Sequence, residues 1–499
     1  MDENNDLQQT YAAPLNEHTK RKLYPAGKRE FIFAVLILLF GWLLVNSVWF
    51  GGFNLGAAVS LGCIILLSTG YLLLKGHKPT VYACILLALD LVICGSFARS
   101  DDGFVKFIMV CFLIISVNLG LCMTAGQNRR TGNGISSLLD VFRTVFKLGV
   151  GKLIPSLRSL FRGLRNSGTG GKKGGAVILG LAVAFPILLI LVALLTKADA
   201  AFDALLSKLP ELKFEEIFVT LFFGTAFSVF FYVRATALSG AEKAAPTQSK
   251  GKGLNPLTIN TVLIVVGIVY LVYLFSQLAY FSGGFSGILP ENYTVAQYAR
   301  RGFFELAWLC AINLLIIALA MGLVRGTAPK FTRIICLFIG IVTLFLAVSA
   351  SAKMFLYIDS FGLTRLRVLT QVIIFWLGLT TVAVCIWLFV PKLAYMKVAL
   401  VLALVMVAAL AWADVDTVVA RYNVNAYQTG KLETVDVHYL EDLGHGAIPY
   451  IAQLKDASDP DVAQAAKDAL MGEYYTNEKL RGWNYVNQIA ENYFENTKK

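Results

Sequence analysis

Eleven stretches of this chain are apolar for long enough to cross about 30 Å of hydrocarbon, at about 31–50, 54–74, 81–98, 104–125, 176–196, 217–233, 257–282, 303–324, 334–358, 366–389 and 397–413. That feature decides the fold class. Inside a bilayer no water is present to satisfy a backbone amide, so a single apolar run of this length has to coil into a helix. The runs are continuous rather than striped, and no β pattern of any length competes with them. Only 15% of residues are charged, against about 25% in an ordinary soluble protein. The expectation is an all-α, polytopic membrane protein of about eleven transmembrane helices with a small C-terminal helical domain outside the membrane.

Basic residues show how the runs alternate. With the N-terminus in the cytosol, 26 of the 44 Lys and Arg fall in cytosolic segments, ten in outer connections and eight beyond residue 413. This is the bias that sets orientation in membranes. An odd number of crossings then puts the C-terminal tail outside. The run from Phe31 to Phe50 is longer and later than a signal-peptide core, so it reads as a retained span. The expected regions are a polar cytosolic N-terminus (1–30), a four-helix membrane region (31–125), a basic cytosolic loop (126–175), a seven-helix membrane region (176–413) and an extracytoplasmic tail domain (414–499). The net charge of +12 comes from clustered loop residues, which leaves no even basic surface for nucleic acid.

Two non-spanning regions carry their own signals. Between Gln127 and Gly175 ten basic residues face a single acid, Asp140, and apolar residues recur at three- and four-residue spacing between Ile135 and Leu164. Arg143, Lys147, Arg158 and Arg162 are interleaved with them. The pattern predicts a basic amphipathic helix or pair, broken at Pro155, suited to an anionic inner leaflet; a plain topology signal is the alternative. The tail holds eight basic and fourteen acidic residues. Ser458-Asp459-Pro460 predicts a helix start leading into an Ala-rich stretch. A shorter helix precedes it around Ala447–Leu454, and another follows through Trp483, Val486, Ile489 and Phe494.

Charge next to hydrocarbon is costly and marks sites that need a partner. Such residues gather at the outer ends of spans: Arg300, Arg301 and Glu305 before the eighth, then Asp359, Arg365 and Arg367 between the ninth and tenth. Gly362 breaks the chain there, and Thr364 is placed to cap the next helix. These six are the ligand or docking candidates. Three readings stay open: the charges pair with one another at helix ends, the arginines receive the acidic tail, or they bind an anionic ligand bidentately. Asp90 is the one acid well inside a span. It reads either as a proton or cation relay or as a hydrogen-bond partner for a neighbouring helix, and Asn46, Asn118, Gln277 and Asn313 as interhelical glue.

Catalytic signals are thin. The pairs Asp101-Asp102 and Asp414-Val415-Asp416 have a composition that membrane glycosyltransferases use to hold a metal and a sugar-phosphate, but such pairs arise easily by chance. His438 and His445 lie seven apart with Gly444 between them. All eight cysteines sit within apolar runs without a CxxC, as inert buried thiols do. No P-loop, GxSxG, HExxH or dinucleotide fingerprint is present. No catalytic residue, cofactor or metal site is expected.

The stretches Tyr298–Leu306, Tyr357–Arg367 and Arg421-Tyr-Asn-Val, with Asp436 and Tyr439-Leu440 beyond, resemble a bacterial family of multi-pass membrane proteins known as domain of unknown function 4173, related to 4153. The resemblance runs from about residue 176 to the C-terminus and implies bacterial origin and a tail that forms one unit with the spans. It implies no activity. The functional expectation is a non-enzymatic protein of the bacterial cytoplasmic membrane whose outer arginine-rich face and acidic tail recognise an envelope protein or an anionic ligand. A secondary transporter of a small solute or lipid is the alternative, and a membrane enzyme acting on lipid or sugar phosphates the third.

Overall fold

The computed structural model describes residues 27–127, 150–166, 214–241, 253–284, 303–324, 328–471 and 482–498, with isolated positions at 145, 191, 195, 198 and 199. They divide into two units, one made of the chain up to Ala34 with Lys152–Lys208, the other of Val35–Gly151 with Leu209–Lys499. The described residues are helical, with no strand and one isolated bridge, Leu254 to Val324.

In chain order the helices of the membrane part are α1 (Lys28–Gly51), α2 (Leu55–Leu74), α3 (Val81–Ser96), α4 (Gly103–Thr124), α5 (Leu153–Asn166), α6 (Phe214–Ser239), α7 (Pro256–Gly284), α8 (Phe303–Leu323), α9 (Lys330–Phe361), α10 (Arg365–Phe389) and α11 (Tyr395–Ala413). Nine of the described helices are long and apolar enough to cross a membrane, and α3 is a shorter apolar helix. At 1.5 Å per residue the sixteen residues of α3 span about 24 Å. Ten of the eleven expected runs therefore coincide with a helix; the eleventh, 176–196, lies almost wholly outside the described residues. Each candidate span keeps most of its apolar surface uncovered, with 22–44% of its window buried. That leaves lipid-facing residues such as Trp308, Val348 and Val272 on the outside of the bundle.

Polar side chains turn inward and join helices, where the alternative is an unsatisfied group in hydrocarbon. Asn313 of α8 donates to the Thr343 hydroxyl of α9 at 2.9 Å and accepts from Tyr270 of α7. Asn46 of α1 donates to Glu216 and Thr220 of α6, while farther back along α1 Ile37 accepts from Ser228 of α6, so the two helices run antiparallel. The helix α6 reaches Ser239, well past the end expected at 233. Arg234 is consequently not in a cytosolic loop but inside the bundle, 1% exposed, donating to Asn118 Oδ1 and Cys122 Sγ of α4 at 3.1 Å each. Burial is tolerated because the α4 acceptors meet the guanidinium at the helix end. Gln277 lies in α7, beyond the side chains described there.

In the other unit, α5 follows a 3-10 turn at Val150–Lys152. Pro155 stands in its first turn, where a missing N–H costs nothing; the part of the expected basic helix or pair that precedes Val150 lies, but for position 145, outside the described residues.

The chain does not stop being helical after α11. Asp414, with φ 55°, ends that helix and begins α12 (Val415–Gln428); the left-handed backbone is one that Asp adopts more readily than most side chains. Then come α13 (Val437–Asp442), a continuous run of short turns through α14 (Ile448–Ile451), α15 (Pro460–Met471) and α16 (Tyr485–Lys498). Helices α12 and α13 carry no long apolar run and were not foreseen. The start of α15 falls where the Ser-Asp-Pro signal put it, with Asp459 Oδ1 accepting from the Asp461 N–H at 2.9 Å. One hydrophobic core runs without a break from Leu86, Met109 and Leu404 in the membrane helices through Val419 and Leu440 to Ile451 and Ala466. A second core, around Ile317, Ile339, Leu346 and Ile374, joins α7 to α10.

Candidate functional site: a buried polar layer under the C-terminal module

The connections α1–α2, α3–α4 and α9–α10 and the end of α11 lie at one end of the bundle, and the helices from α12 onward cover them. Hydrocarbon ends there, and backbone ends of several helices must be satisfied without free access to water. The layer between is accordingly polar. It contains Asn54, Ser100, Asp102, Lys106, Asp414, Asp416, Asn423 and Asn484, all buried.

Its centre is Arg365, the first residue of α10. Asp416 takes both Nε and Nη2 of the guanidinium, the latter at 2.8 Å, in the bidentate geometry that arginine presents to a carboxylate. The same Nη2 donates to the Asp442 carbonyl at 3.2 Å, and the Arg365 backbone N–H donates to the Tyr439 hydroxyl at 2.9 Å. Asp102 Oδ2 stands 3.8 Å from Nε. One residue, through side chain and backbone, thus holds the α9–α10 hairpin to three places in the module.

The hairpin itself is shaped for this. Gly362 has φ 76°, and a Cβ there would stand 2.6 Å from Asn423 Oδ1. Asn423 of α12 uses that approach to accept from the Leu363 N–H at 2.7 Å and donate to the Leu363 carbonyl at 2.8 Å. Thr364 caps α10, accepting from the Arg367 N–H. Arg367 turns back: it donates to the Phe361 and Gly362 carbonyls and lays its guanidinium 4.1 Å from the Tyr357 ring centroid. Asp359 meets Lys431 at the exposed rim.

On the α3–α4 side, Asp102 caps α4 through the Phe104 and Val105 N–H groups. Asp101 lies 3.3 Å from His445 Nδ1 and 3.5 Å from Lys106 Nζ. Lys106 also donates to Asn54 Oδ1 at 2.9 Å. The last part of the chain threads into the same layer by main-chain bonds: Leu55 N–H to the Trp483 carbonyl at 3.1 Å and Tyr485 N–H to the Ala98 carbonyl at 2.9 Å. Asn484 donates to the Ser100 carbonyl at 2.8 Å, and the Asn54 amide donates to the Gly482 carbonyl at 3.1 Å.

Burial sets the electrostatics. The carboxyl of Asp416 is pushed up to about 6, because desolvation outweighs the Arg365 guanidinium and the nearby carboxylates Asp102 and Asp414 oppose a further charge. Desolvation also raises Asp414, against the pull of Thr417. Asp101 is shifted the other way, chiefly by its hydrogen bond with His445.

The residues singled out from sequence are distributed unevenly. Arg365, Arg367 and Asp359 belong to this hairpin. Glu305 is in the first turn of α8 within electrostatic reach of Lys353, and Arg300 and Arg301 lie outside the described residues. Asp90 is 2% exposed in α3 and accepts from Ser116 of α4. His438 and His445 do not meet: His438 is exposed near Glu441, and His445 faces Asp101. The acidic pairs Asp101-Asp102 and Asp414/Asp416 do converge, around Arg365 and Lys106. Among the described residues no group of three His, Cys, Asp or Glu is disposed to hold a metal ion. Asn423 and Tyr439 stand in the stretches that carry the family resemblance, though no site role was read for them, and Lys106, Asn54 and Asn484 were left out altogether. Of these only Lys106 announced itself, as a charge inside the first turn or so of an apolar run.

A family model matches residues 32–454, which takes in α1 to α4 and the covering module through α14, with α15 and α16 beyond it. The chain belongs to the family described as domain of unknown function (DUF4153). The match is to 4153 and not to 4173, and it begins well before residue 176, where the resemblance starts. The polar layer around Arg365 lies inside the DUF4153 match; Trp483, Asn484 and α16, which seal it, lie beyond. Comparison with curated proteins and with solved structures gave no match.

Proposed function

We propose that this DUF4153 protein is a non-enzymatic protein of the bacterial cytoplasmic membrane that presents its C-terminal helical module outside, held rigidly on the membrane helices, to recognise an envelope partner. The observation that carries the reading is Arg365. Its guanidinium and backbone are both spent on the module, so the arginine supports docking of the tail rather than capture of a free anion. Arg367 is likewise engaged with its own hairpin.

The geometry also simplifies sidedness. Trp483 bonds to Leu55 beside the α1–α2 turn, so the module shares the end of the bundle that α1 reaches. Its side then depends on a single crossing, that of α1, whose flanking basic residues favour a cytosolic N-terminus. The face left for a partner includes a cleft of about 460 Å³ lined by Tyr427, Gln428, Glu433, Gln453 and Asp456. Asp101 is engaged by Lys106 and Asp416 by Arg365, while Asp102 and Asp414 cap helices, which supports a structural layer over a catalytic centre.

The test uses Ser360→Cys and Ser458→Cys, singly, in a background whose native cysteines do not react with an impermeant maleimide. Labelling of both in intact cells is expected. Protection of both until lysis reverses the orientation and removes envelope recognition. A photocrosslinker at position 453 should then give one discrete adduct that Glu433→Lys abolishes; a smear unchanged by that substitution counts against recognition at this cleft.

A further inference from the structure

The helix α5 has no role in the layer just described. Its described residues split by position: Leu153, Ile154, Leu157 and Leu160 fall within about 120° of one another at 100° per residue, and Arg158 and Arg162 follow about 40° and 80° beyond the Ile154 edge of that arc. Leu153 and Ile154 are exposed, Ile154 by 65%, and Lys152, Arg158 and Arg162 are exposed as well. An exposed apolar arc of this kind needs a cover. A basic flank beside it matches the boundary where acyl chains meet headgroups, with long arginine side chains reaching outward to phosphate. The chain supplies the setting, since α5 stands in a segment between two membrane-crossing helices, α4 and α6. Charge narrows the cover further: from Gln127 to Gly175 there are ten basic residues and one acid.

We infer that α5 is an interfacial helix that lies on a leaflet of anionic phospholipid and binds its headgroups through Lys152, Arg158 and Arg162. Each basic residue near such a surface is worth about fivefold in partition at ordinary ionic strength and is screened by salt. The binding therefore depends on lipid charge and not on bilayer contact alone.

The test reconstitutes the full chain, with its native cysteines replaced and Ile154→Cys carrying an environment-sensitive fluorophore, in vesicles of phosphatidylcholine alone or with phosphatidylglycerol at about one third. A blue shift and roughly threefold weaker iodide quenching with phosphatidylglycerol are expected. Arg158→Gln with Arg162→Gln, or high salt, should erase the difference. Equal quenching in both vesicles, or a difference that survives the double substitution, overturns the inference. Should the cysteine-free variant fail to fold, amide hydrogen exchange of residues 153–162 in the native chain decides the matter. Slower exchange in the anionic vesicles supports headgroup binding, and equal exchange refutes it.

Discussion

Asp416 grips Arg365 with both carboxylate oxygens across 51 positions of sequence, and in doing so ties the start of a membrane helix to the first helix of the covering module. The pair is asymmetric. Asp416 is 3% exposed while the Arg365 side chain is 35% exposed, so the carboxylate has far more to lose when its partner goes. Removing one member of a fully buried pair costs about 3–5 kcal/mol, and the partial exposure here brings the expectation to about 2 kcal/mol. Arg365→Ala should loosen the module, seen as faster proteolysis between α12 and α15 in membranes while the spans stay intact. Arg365→Lys should rescue only in part, because an ammonium cannot make the two-pronged contact. Unchanged proteolysis in Arg365→Ala would mean that the continuous apolar core holds the module alone.

The hairpin turn offers a second, independent break. Gly362→Ala meets two obstacles at once, a left-handed backbone and Asn423 Oδ1 at 2.6 Å from the new methyl. Asn423→Ala removes the obstacle but orphans the Leu363 N–H and carbonyl, at about 1–3 kcal/mol for buried groups. Each single substitution should lower the thermal midpoint of the detergent-solubilised protein. In the double variant the two costs should sum to more than the measured loss, since the alanine at 362 no longer clashes. Strict additivity would show that the close approach is not what constrains position 362.

How much of this could be read from the residues alone follows from what each signal reports. Apolar run length reports the cost of backbone in hydrocarbon, a local quantity, so ten of the described helices appeared at the right places. The cap at Thr364 and the start at Asp459 are local too. The partner of Arg365 is not: a guanidinium at a span end says only that a counter-charge is required, and Asp416, Asp359 and Glu441 were all eligible. Arg234 misled because positive charge near a span end usually marks a loop, whereas its acceptors, Asn118 and Cys122, are supplied by a helix more than a hundred positions away. Helices α12 and α13 stayed hidden for the reason that their apolar residues pack on membrane helices and make no run of their own.

Asp90 lies where a relay could be, yet the Ser116 hydroxyl of α4 donates to it. Asp90→Asn keeps an oxygen in that position and should leave stability within about 1 kcal/mol of the native protein, whereas Asp90→Leu removes the bond between α3 and α4, leaves Ser116 only the Phe112 carbonyl of its own helix at 2.9 Å, and should cost about 1–2 kcal/mol. The check is thermal unfolding in one detergent for all three proteins. Equal loss in both variants would point to the charge itself, not the hydrogen bond, as what the bundle needs.

The acid–base chemistry of the layer predicts an unusual pH profile. Asp416 has its carboxyl raised to about 6 by burial, so the folded module holds a proton that the unfolded chain releases. Stability from that group is present below the ordinary carboxylate value and is lost as pH rises through about 6. Asp414 has the same sign. Asp101, lowered by His445, has the opposite one: its contribution is present above the ordinary carboxylate value and disappears as pH falls below it. The two trends cross, and docking should be firmest between about pH 4 and 6. Protease resistance of the module in membranes, followed from pH 3.5 to 8, should pass through a maximum in that interval. In Asp416→Asn the decline on the alkaline side should flatten, because no charge is then forced into the buried layer. A profile that rises steadily to pH 8 would mean that Arg365 holds Asp416 ionised throughout, and that the ion pair outweighs the burial.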